Sequence, residues 1–241
     1  MKLAVISDIH ANLTALKAVL EDIKNEGCDK ILCLGDIVLA GPQPKETLDF
    51  VKRQSDWIII QGNTDKLIAD YNPDILMYMR ENFPVMANAI EQDVILVDRQ
   101  YLKELPPQIE IEIDGLKILM VHGSPRYNNE DIMPDLPLDK VEEIIADTNA
   151  DLILCGHTHV PCGYQTTTKQ TLVNVGSVGR PMTKNPMSCY AIIDVQNGAF
   201  TVKHKFVDYD RETAAKLVRE RGFDGADQLA QLIINPESRH V

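Results

Sequence analysis

Apolar runs and helical repeats alternate along the start of the chain. Residues 2–6 (KLAVI) and 30–34 (KILCL) are short and almost wholly apolar, as strands buried on both faces are. Between them, apolar residues recur at helical spacing, at Leu13, Leu16, Val19, Leu20 and Ile23. A helix over 44–54 and a strand over 57–60 follow. The pattern therefore predicts an α/β fold, with a largely parallel sheet in this half of the chain.

The rest of the chain is first helical and then rich in strands joined by short turns. Residues 64–105 read as helix, and strand-like runs follow at 109–113, 117–123, 151–157, 170–177, 189–195 and 200–207. We expect one more helix over 137–148 and a helical tail over about 210–241. Two sheets packed face to face with helices outside fit this order. No segment rich in Gly, Ser or Pro divides the chain, so we expect a single domain over 1–241.

Composition and charge narrow the expected partners and compartment. The 241 residues carry a formal net charge of −12, which argues against binding duplex nucleic acid through a basic face. The five cysteines include no CxxC pair, which indicates reduced thiols. The amino-terminal sequence has no signal-peptide core, and no apolar run approaches the ~20 residues of a membrane helix. We therefore expect a cytoplasmic protein without a membrane partner.

Polar side chains that can bind metals follow five of the predicted strands. The motifs are ISDIHAN (6–12), LGDIV (34–38), QGNTD (61–65), VHGSP (121–125) and CGHTHVP (155–161). The carboxyl ends of strands in an open α/β sheet border one crevice. We therefore expect these motifs, which span residues 6–160, to meet in space.

Seven side chains in these motifs are candidate metal ligands: Asp8, His10, Asp36, Asn63, His122, His157 and His159. Imidazole and carboxylate together suit a borderline divalent ion, with manganese expected and nickel, iron, cobalt or zinc as alternatives. One ion that keeps positions for water and substrate does not use seven ligands, whereas two ions sharing a carboxylate do. An extended chain at His157 and His159 would place both imidazoles on one side, about 7 Å apart at Cα.

The motifs DIH, GD, GN, HG and GHTH, in this order, resemble the signature of the calcineurin-like metallophosphoesterases, from residue 1 to about 195. GDIV, GPQPKE, HGSP and VGSVGRP further resemble the small phosphoesterases of bacteria and archaea in that superfamily. The resemblance implies a four-layer αββα sandwich, in which helices flank two mixed β-sheets. It also implies a first ion held by Asp8, His10 and His159. A second ion would be held by Asn63, His122 and His157, with Asp36 bridging the two.

The resemblance implies hydrolysis of phosphoester bonds by a hydroxide shared between two metal ions. We predict Asp36, Asn63 and His122 to be catalytic as well as metal-binding. Protein phosphatases of this superfamily carry an Asp-Arg pair after the Gly-Asp motif, but residues 39–40 are Leu-Ala here. Many relatives carry a histidine as general acid after the Gly-Asn motif, where Thr64 stands here. Phosphodiesters and activated phosphate esters are therefore the expected substrates, because they need protonation of the leaving group least.

Three further residues are candidate substrate contacts: Thr64, Arg126 and Arg180. Arg126, on a proline-bearing loop after the HGSP motif, either contacts the substrate or is simply exposed to solvent. Arg180, in GSVGRP, either approaches phosphate oxygens or pairs with a surface carboxylate. Asp65 either positions a water molecule or caps the helix that begins at this motif.

Other functions compete with a phosphodiesterase. A phosphomonoesterase or a protein-phosphatase-like enzyme would use the same ligands, and a catalytically silent metal-binding scaffold would keep them without turnover. A nucleotide-binding α/β module is disfavoured, because no glycine-rich phosphate loop follows the first strand. The expected partner is a small phosphorylated substrate, such as a nucleotide, and assembly into a homo-oligomer stays open.

Overall fold

The computed structural model describes residues 1–239, and they form two five-stranded sheets. The first sheet contains β1 (Lys2–Ile6), β2 (Lys30–Cys33), β3 (Ile58–Ile59), β9 (Ser188–Gln196) and β10 (Ala199–Val207). Its strand order is β10-β9-β1-β2-β3. Strands β1, β2 and β3 are parallel, whereas β9 pairs antiparallel with both β1 and β10. The sheet is therefore mixed, and the parallel strands lie together at one side.

The second sheet is also mixed. It contains β4 (Ile109–Ile113), β5 (Leu116–Met120), β6 (Leu152–Cys155), β7 (Cys162–Gln165) and β8 (Thr171–Asn174), in the order β4-β5-β6-β8-β7. Strands β4 and β5 form a hairpin whose turn residues, Asp114 and Gly115, have φ of 50° and 80°. Asp-Gly suits this turn because both positions need a positive φ. Strands β5, β6 and β8 are parallel, so this sheet also directs several carboxyl ends to one side.

Helices cover the outer face of each sheet. The helices on the first sheet are α1 (Leu13–Asn25), α2 (Pro44–Lys52), α3 (Asn63–Asp70), α4 (Pro73–Asn82), α5 (Pro84–Leu96), α6 (Arg99–Glu104), α8 (Arg211–Glu220) and α9 (Ala226–Ile234). Helix α7 (Leu138–Ile145) packs on the second sheet. Helix α1 shows why these segments are helical, since its buried residues fall on one face and the Asn12 side chain accepts a hydrogen bond from the Ala15 N–H at 3.1 Å.

The largest buried apolar cluster lies between the first sheet and its helices, and a second cluster lies between the two sheets. In β1, Leu3 and Val5 face the second sheet, whereas Ala4 and Ile6 face the helices on the other side. Successive side chains of a strand point to opposite faces, so a strand buried on both faces must be apolar throughout. The four layers, helix, sheet, sheet and helix, confirm the predicted αββα sandwich.

Several elements are shorter than the sequence predicts, and one strand was missed. Strand β3 spans only Ile58–Ile59 rather than 57–60. Strand β7 was not predicted, because an edge strand that alternates between half-buried and exposed positions has no apolar run to reveal it. The predicted helical tail contains α8 and α9, and its residues 240–241 lie outside the described part of the chain.

Two further observations concern the chain as a whole. None of the described helices combines the length and the apolar composition needed to cross a bilayer. Within residues 1–239, none of the five cysteines forms a disulfide.

Candidate metal centre

Loops from both sheets meet at one side of the sandwich. The loops after β1, β2 and β3 contribute Asp8, His10, Asp36 and Asn63. The loops after β5 and β6 contribute His122, His157 and His159. Each loop follows the carboxyl end of a parallel strand, which is where side chains from different strands converge in α/β folds. The structure therefore brings all seven predicted ligands together.

Three side chains form the first group of ligand atoms. Asp8, His10 and His159 are all buried, and one ligand atom from each lies within 4.8 Å of the others. The two Nε2 atoms of His10 and His159 are 3.1 Å apart. Oδ1 of Asp8 is 3.1 Å from His159 Nε2 and 3.8 Å from His10 Nε2. The three side chains thus direct two nitrogens and one oxygen at a common point.

Asn63, His122 and His157 form the second group. The side-chain oxygen of Asn63 is 3.0 Å from His122 Nε2 and 2.8 Å from His157 Nδ1. Asp36 lies between the groups, with Oδ2 3.6 Å from His10 Nε2 and 3.4 Å from His122 Nε2. One carboxylate oxygen is therefore placed to serve both groups. The assignment of the seven as ligands to two ions stays a prediction.

Backbone carbonyls orient three of the four imidazoles. Nδ1 of His10 faces the Leu39 carbonyl at 3.2 Å, and Nδ1 of His122 faces the Leu34 carbonyl at 2.7 Å. Nδ1 of His159 faces the Arg180 carbonyl. A carbonyl only accepts, so in the neutral imidazole Nδ1 carries the proton and donates it. The Nε2 lone pair then points into the cluster. This is the arrangement found at metal-binding histidines, whose second nitrogen donates to a fixed acceptor.

A buried oxygen without a donor shows that these residues fit divalent cations. Oδ1 of Asp8 is fully buried and has no hydrogen-bond partner within residues 1–239. Three imidazole Nε2 atoms surround it at 3.1, 3.8 and 3.9 Å. Buried polar atoms are nearly always satisfied, and a carboxylate among nitrogen lone pairs is satisfied by a cation. The donor set therefore suits the first-row ions expected from the sequence.

The backbone around the cluster is held in an unusual conformation. Five of the seven candidate ligands have a left-handed φ: Asp8 (55°), His10 (45°), Asp36 (52°), His157 (65°) and His159 (62°). Residues other than glycine seldom adopt this region, and such outliers concentrate at functional sites. The expected extended chain at His157 and His159 is therefore wrong. Their side chains reach the cluster because the loop turns at both histidines.

Electrostatics keep both carboxylates ionised. Burial alone would raise the pKa of Asp8, but His159 and His122 outweigh it and hold that pKa well below its usual range. Burial also acts to raise the pKa of Asp36, yet His122 brings it down to about 2. Burial lowers the pKa of His10 to about 4, and His159 acts in the same direction. Burial acts to lower the pKa of His122, but Asp36 and Asp8 raise it to about 10, so a protonated His122 balances these carboxylates. A cation that binds here would replace that Nε2 proton.

Thr64 and Asp65 both have structural partners. The Thr64 N–H donates to Asp36 Oδ1 at 2.8 Å, and its hydroxyl donates to the Val38 carbonyl at 3.2 Å. Asp65 caps α3, since its Oδ2 accepts from the Gly62 N–H at 3.0 Å. Its Oδ1 accepts from the Ile37 N–H at 2.9 Å. The helix-cap interpretation of Asp65 therefore agrees with the structure.

The two candidate arginines lie in different surroundings. Arg126 forms ion pairs with Glu130 and with Glu143, the latter at 3.4 Å, and it is not among the residues brought to the cluster. Arg180 lines a narrow slot of ≈ 20 Å³ together with His10. Burial lowers the pKa of Arg180, while Asp36 acts to raise it. Within residues 1–239, the Arg180 side chain forms no ion pair, so the alternative of a paired surface arginine is not supported.

Sequence reasoning missed two residues next to the cluster. The carboxylate of Asp131 lies 3.1 Å from His157 Nε2. Arg239 donates two hydrogen bonds of 2.8 Å to Asp131. Neither residue belongs to a motif, and they are separated by 108 positions along the chain. No sequence signal marked either residue, because the two meet only through the tertiary fold.

Comparisons with known proteins agree with this geometry. The calcineurin-like phosphoesterase superfamily domain matches residues 1–198. The chain is 33% identical over 234 residues to the uncharacterised protein MJ0912 of Methanocaldococcus jannaschii, covering 91% of this chain and 93% of that protein. It is 25% identical over 203 residues to phosphodiesterase YfcE of Escherichia coli, covering 80% and 88%.

A solved structure also agrees with this fold and this family. The metallophosphoesterase from Sphaerobacter thermophilus has a TM-score of 0.77 and 26% identity, covering 98% of each chain. The four-layer sandwich, the clustered histidines and carboxylates, and the family match over residues 1–198 all agree with the resemblance read from the motifs. The chain therefore belongs to the calcineurin-like phosphoesterase superfamily.

Proposed function

We propose that this protein hydrolyses phosphoester bonds with two divalent cations, and that it prefers phosphodiesters or activated phosphate esters. The observation that carries the proposal is the buried Asp8 oxygen without a hydrogen-bond donor, in a carboxylate that His10, His159, Asp36 and His122 approach closely enough to share metal ions. When bound, the cations supply Lewis acidity and an activated water. The YfcE relative is a phosphodiesterase, which supports the same class of substrate.

The protein's own part in this chemistry is to hold the reacting groups in place. Three backbone carbonyls and the Asp131 carboxylate fix the four imidazole rings, so little reorganisation is needed when a substrate arrives. The Thr64 N–H donates to Oδ1 of Asp36 and holds this carboxylate, which leaves Oδ2 to face both groups of candidate ligands. We infer manganese as the physiological ion; the mixed nitrogen and oxygen donors accept several first-row ions, and metal availability decides among them.

Arg180 is the proposed phosphate contact. It takes the role of the arginine in the missing Asp-Arg pair, because it lines the slot beside His10. A guanidinium donates several hydrogen bonds in one plane and matches the oxygens of a phosphate group. It thereby stabilises charge that develops on those oxygens during the reaction.

The leaving group receives no proton from Thr64. The Thr64 hydroxyl already donates to the Val38 carbonyl, and a threonine is far too weak an acid to replace the histidine of relatives. General acid catalysis contributes about 10²–10⁴-fold where it is present. Substrates whose leaving group departs as a stable anion are therefore favoured over simple alkyl monoesters.

The test measures hydrolysis of bis(4-nitrophenyl) phosphate and 4-nitrophenyl phosphate by chelator-treated protein after Mn²⁺, Ni²⁺, Co²⁺ or Zn²⁺ is added back. We expect metal-restored turnover that is faster on the diester and is abolished by Asp36→Asn. Arg180→Gln should lower kcat/KM by about 10²-fold, as loss of a donor to a developing anion does. Arg180→Lys should retain part of the wild-type kcat/KM.

Arg126→Gln is the matched control, because that arginine is paired with Glu130 and Glu143. It should leave kcat/KM within about threefold of wild type, since loss of an exposed ion pair has little effect. Faster turnover of the monoester would instead support a phosphomonoesterase. Binding of two cations with no turnover of either ester would overturn the proposed activity and favour a silent scaffold.

A further inference from the structure

His157 differs from the other three histidines in what orients it. The others direct Nδ1 to a backbone carbonyl and Nε2 into the cluster. His157 is reversed, with Nδ1 2.8 Å from Asn63 Oδ1 and Nε2 3.1 Å from Asp131 Oδ1. A backbone carbonyl is fixed by the fold, whereas a carboxylate on an exposed loop must itself be held. The orientation of His157 therefore depends on what holds Asp131.

Arg239 holds Asp131 in place. Its Nη2 donates to both carboxylate oxygens at 2.8 Å, and its Nη1 donates to the His157 carbonyl at 3.4 Å. Its own backbone N–H donates to the Met182 carbonyl at 3.0 Å. The guanidinium thus binds both members of the Asp131–His157 pair. Arg239 lies beyond residue 198, where the match to the superfamily domain ends.

We propose that Asp131 is a positioning residue that selects the Nε2-protonated tautomer of His157, and that Arg239 fixes Asp131 for this purpose. This inference rests on the proposed two-cation site, because the tautomer leaves the Nδ1 lone pair directed at the second cation. An acceptor at the non-coordinating nitrogen sets both the tautomer and the ring orientation of a ligand histidine. Arg239, which lies beyond the superfamily domain, thereby acts on the proposed metal centre.

The first measurement needs no metal. Nitrogen-15 NMR of the histidine rings in the chelated protein at neutral pH distinguishes a protonated Nδ1 from a protonated Nε2. Both nitrogens of His157 face an acceptor in the chelated protein, and the Asp131 carboxylate is a stronger acceptor than the Asn63 amide oxygen. We therefore expect His157 in the wild type to carry its proton mainly on Nε2. Asp131→Ala should shift the proton toward Nδ1, which still faces the Asn63 oxygen. Asp131→Asn should keep more of the Nε2 form than Asp131→Ala, because the amide oxygen still accepts a hydrogen bond.

The second measurement is calorimetric titration of each chelated variant with Mn²⁺. Asp131→Ala should raise the Kd of one of the two cations by about 10–100-fold, which is the usual effect of removing such an acceptor, and should leave the other Kd unchanged. Arg239→Gln should raise the same Kd by a smaller factor, and Arg239→Lys should recover part of the loss. Asp135→Asn is the matched control, because Asp135 is an exposed acid on the same loop and forms no ion pair within the described residues.

Three outcomes separate this inference from the proposed function. If Asp131→Ala leaves both the His157 tautomer and the two Kd values unchanged, the positioning role is wrong while the metal site stands. If the wild type binds no second cation, the two-cation proposal is wrong, and the inference that rests on it falls as well. A drop in affinity in Asp135→Asn equal to that in Asp131→Ala would show a general charge effect and would also overturn the positioning role.

Discussion

At the residue scale, Gly156 leaves room for the carboxylate of Asp8. A Cβ at this position would lie 2.1 Å from Ser7 Oγ and 2.5 Å from Asp8 Oδ2. The same carboxylate oxygen accepts the His157 N–H at 3.0 Å. The glycine before the histidine loop therefore lets two loops from different sheets approach closely enough to share Asp8.

We expect Gly156→Ala to displace Asp8 and to weaken Mn²⁺ binding by more than about tenfold. Overpacking of this kind should also lower the free energy of unfolding by about 1–3 kcal/mol. Calorimetric titration and urea unfolding measure the two effects. Gly163→Ala is the matched control, because its nearest atom would be the Leu172 carbonyl oxygen at 3.9 Å. Equal effects of the two substitutions would contradict this account.

The residue types of the site were predictable, and their local geometry was not. Five motifs at strand ends gave all seven candidate ligands, since metal binding requires histidine and carboxylate side chains in numbers that chance does not supply. The left-handed backbone at His157 and His159 had no sequence signal, because neither is glycine. Asp131 and Arg239 meet only through the tertiary fold, and no local pattern marks such a pair.

At the element scale, α8 supports the loop that follows Asp36. Arg221 directly follows α8, and its Nη1 donates to the Gly41 carbonyl at 2.7 Å while Nη2 donates to Asp93 Oδ1 at 2.5 Å. Asp93, in α5, also accepts the Ala40 N–H at 3.1 Å. Burial raises the pKa of Asp93 to about 6, although Arg221 opposes this shift. The pair braces the turn whose Leu39 carbonyl orients His10.

We expect Asp93→Ala to lower the free energy of unfolding by about 3–5 kcal/mol, because it leaves the buried Arg221 guanidinium without its charged partner. Urea unfolding of the chelated protein measures this change. Asp49→Ala is the comparison, since the Lys45–Asp49 pair is exposed and its loss should change stability by less than about 1 kcal/mol. A cost below about 1 kcal/mol for Asp93→Ala would show that the pair does not brace the turn.

Element types followed from the apolar pattern wherever an element buries a continuous face. Strand β1 and helix α1 were predicted for this reason. Strand β3 is shorter than predicted, and β7 was missed. Pairing of β3 with β2 and of β7 with β8 sets the length of these strands, and their own side chains do not. Which strands join which sheet is a long-range property. The element order fitted two packed sheets, and only the resemblance implied that both are mixed.

At the scale of the whole molecule, we propose that residues 1–241 unfold as one unit. The helices α8 and α9 lie beyond the superfamily domain, yet they share the apolar core with α1 and α5 on the first sheet. Because one apolar core includes both the superfamily domain and these two helices, we expect neither part to unfold separately. The α9 residues Leu232 and Ile233 also line the slot beside His10.

We expect a single calorimetric transition whose Tm rises with Mn²⁺ concentration. A cation at about 100 times its Kd adds about 2.7 kcal/mol to the free energy of unfolding, and each kcal/mol shifts the Tm of a chain this long by roughly 2–4 °C. Chelator should reverse the shift, and Asp36→Asn should reduce it. Two separate transitions in the chelated wild type would contradict unfolding as one unit. A Tm that does not change with Mn²⁺ concentration would contradict the proposed metal site.

The candidate ligands come from both sheets, with Asp8, His10, Asp36 and Asn63 from the first and His122, His157 and His159 from the second. Cations held by the proposed ligands would therefore link the two sheets. Neither sheet alone presents the complete set, so we expect a folding intermediate in which the sheets have not docked to bind cations poorly. Any substitution that loosens the contact between sheets, however distant from the histidines, should therefore first become visible as faster release of the metal.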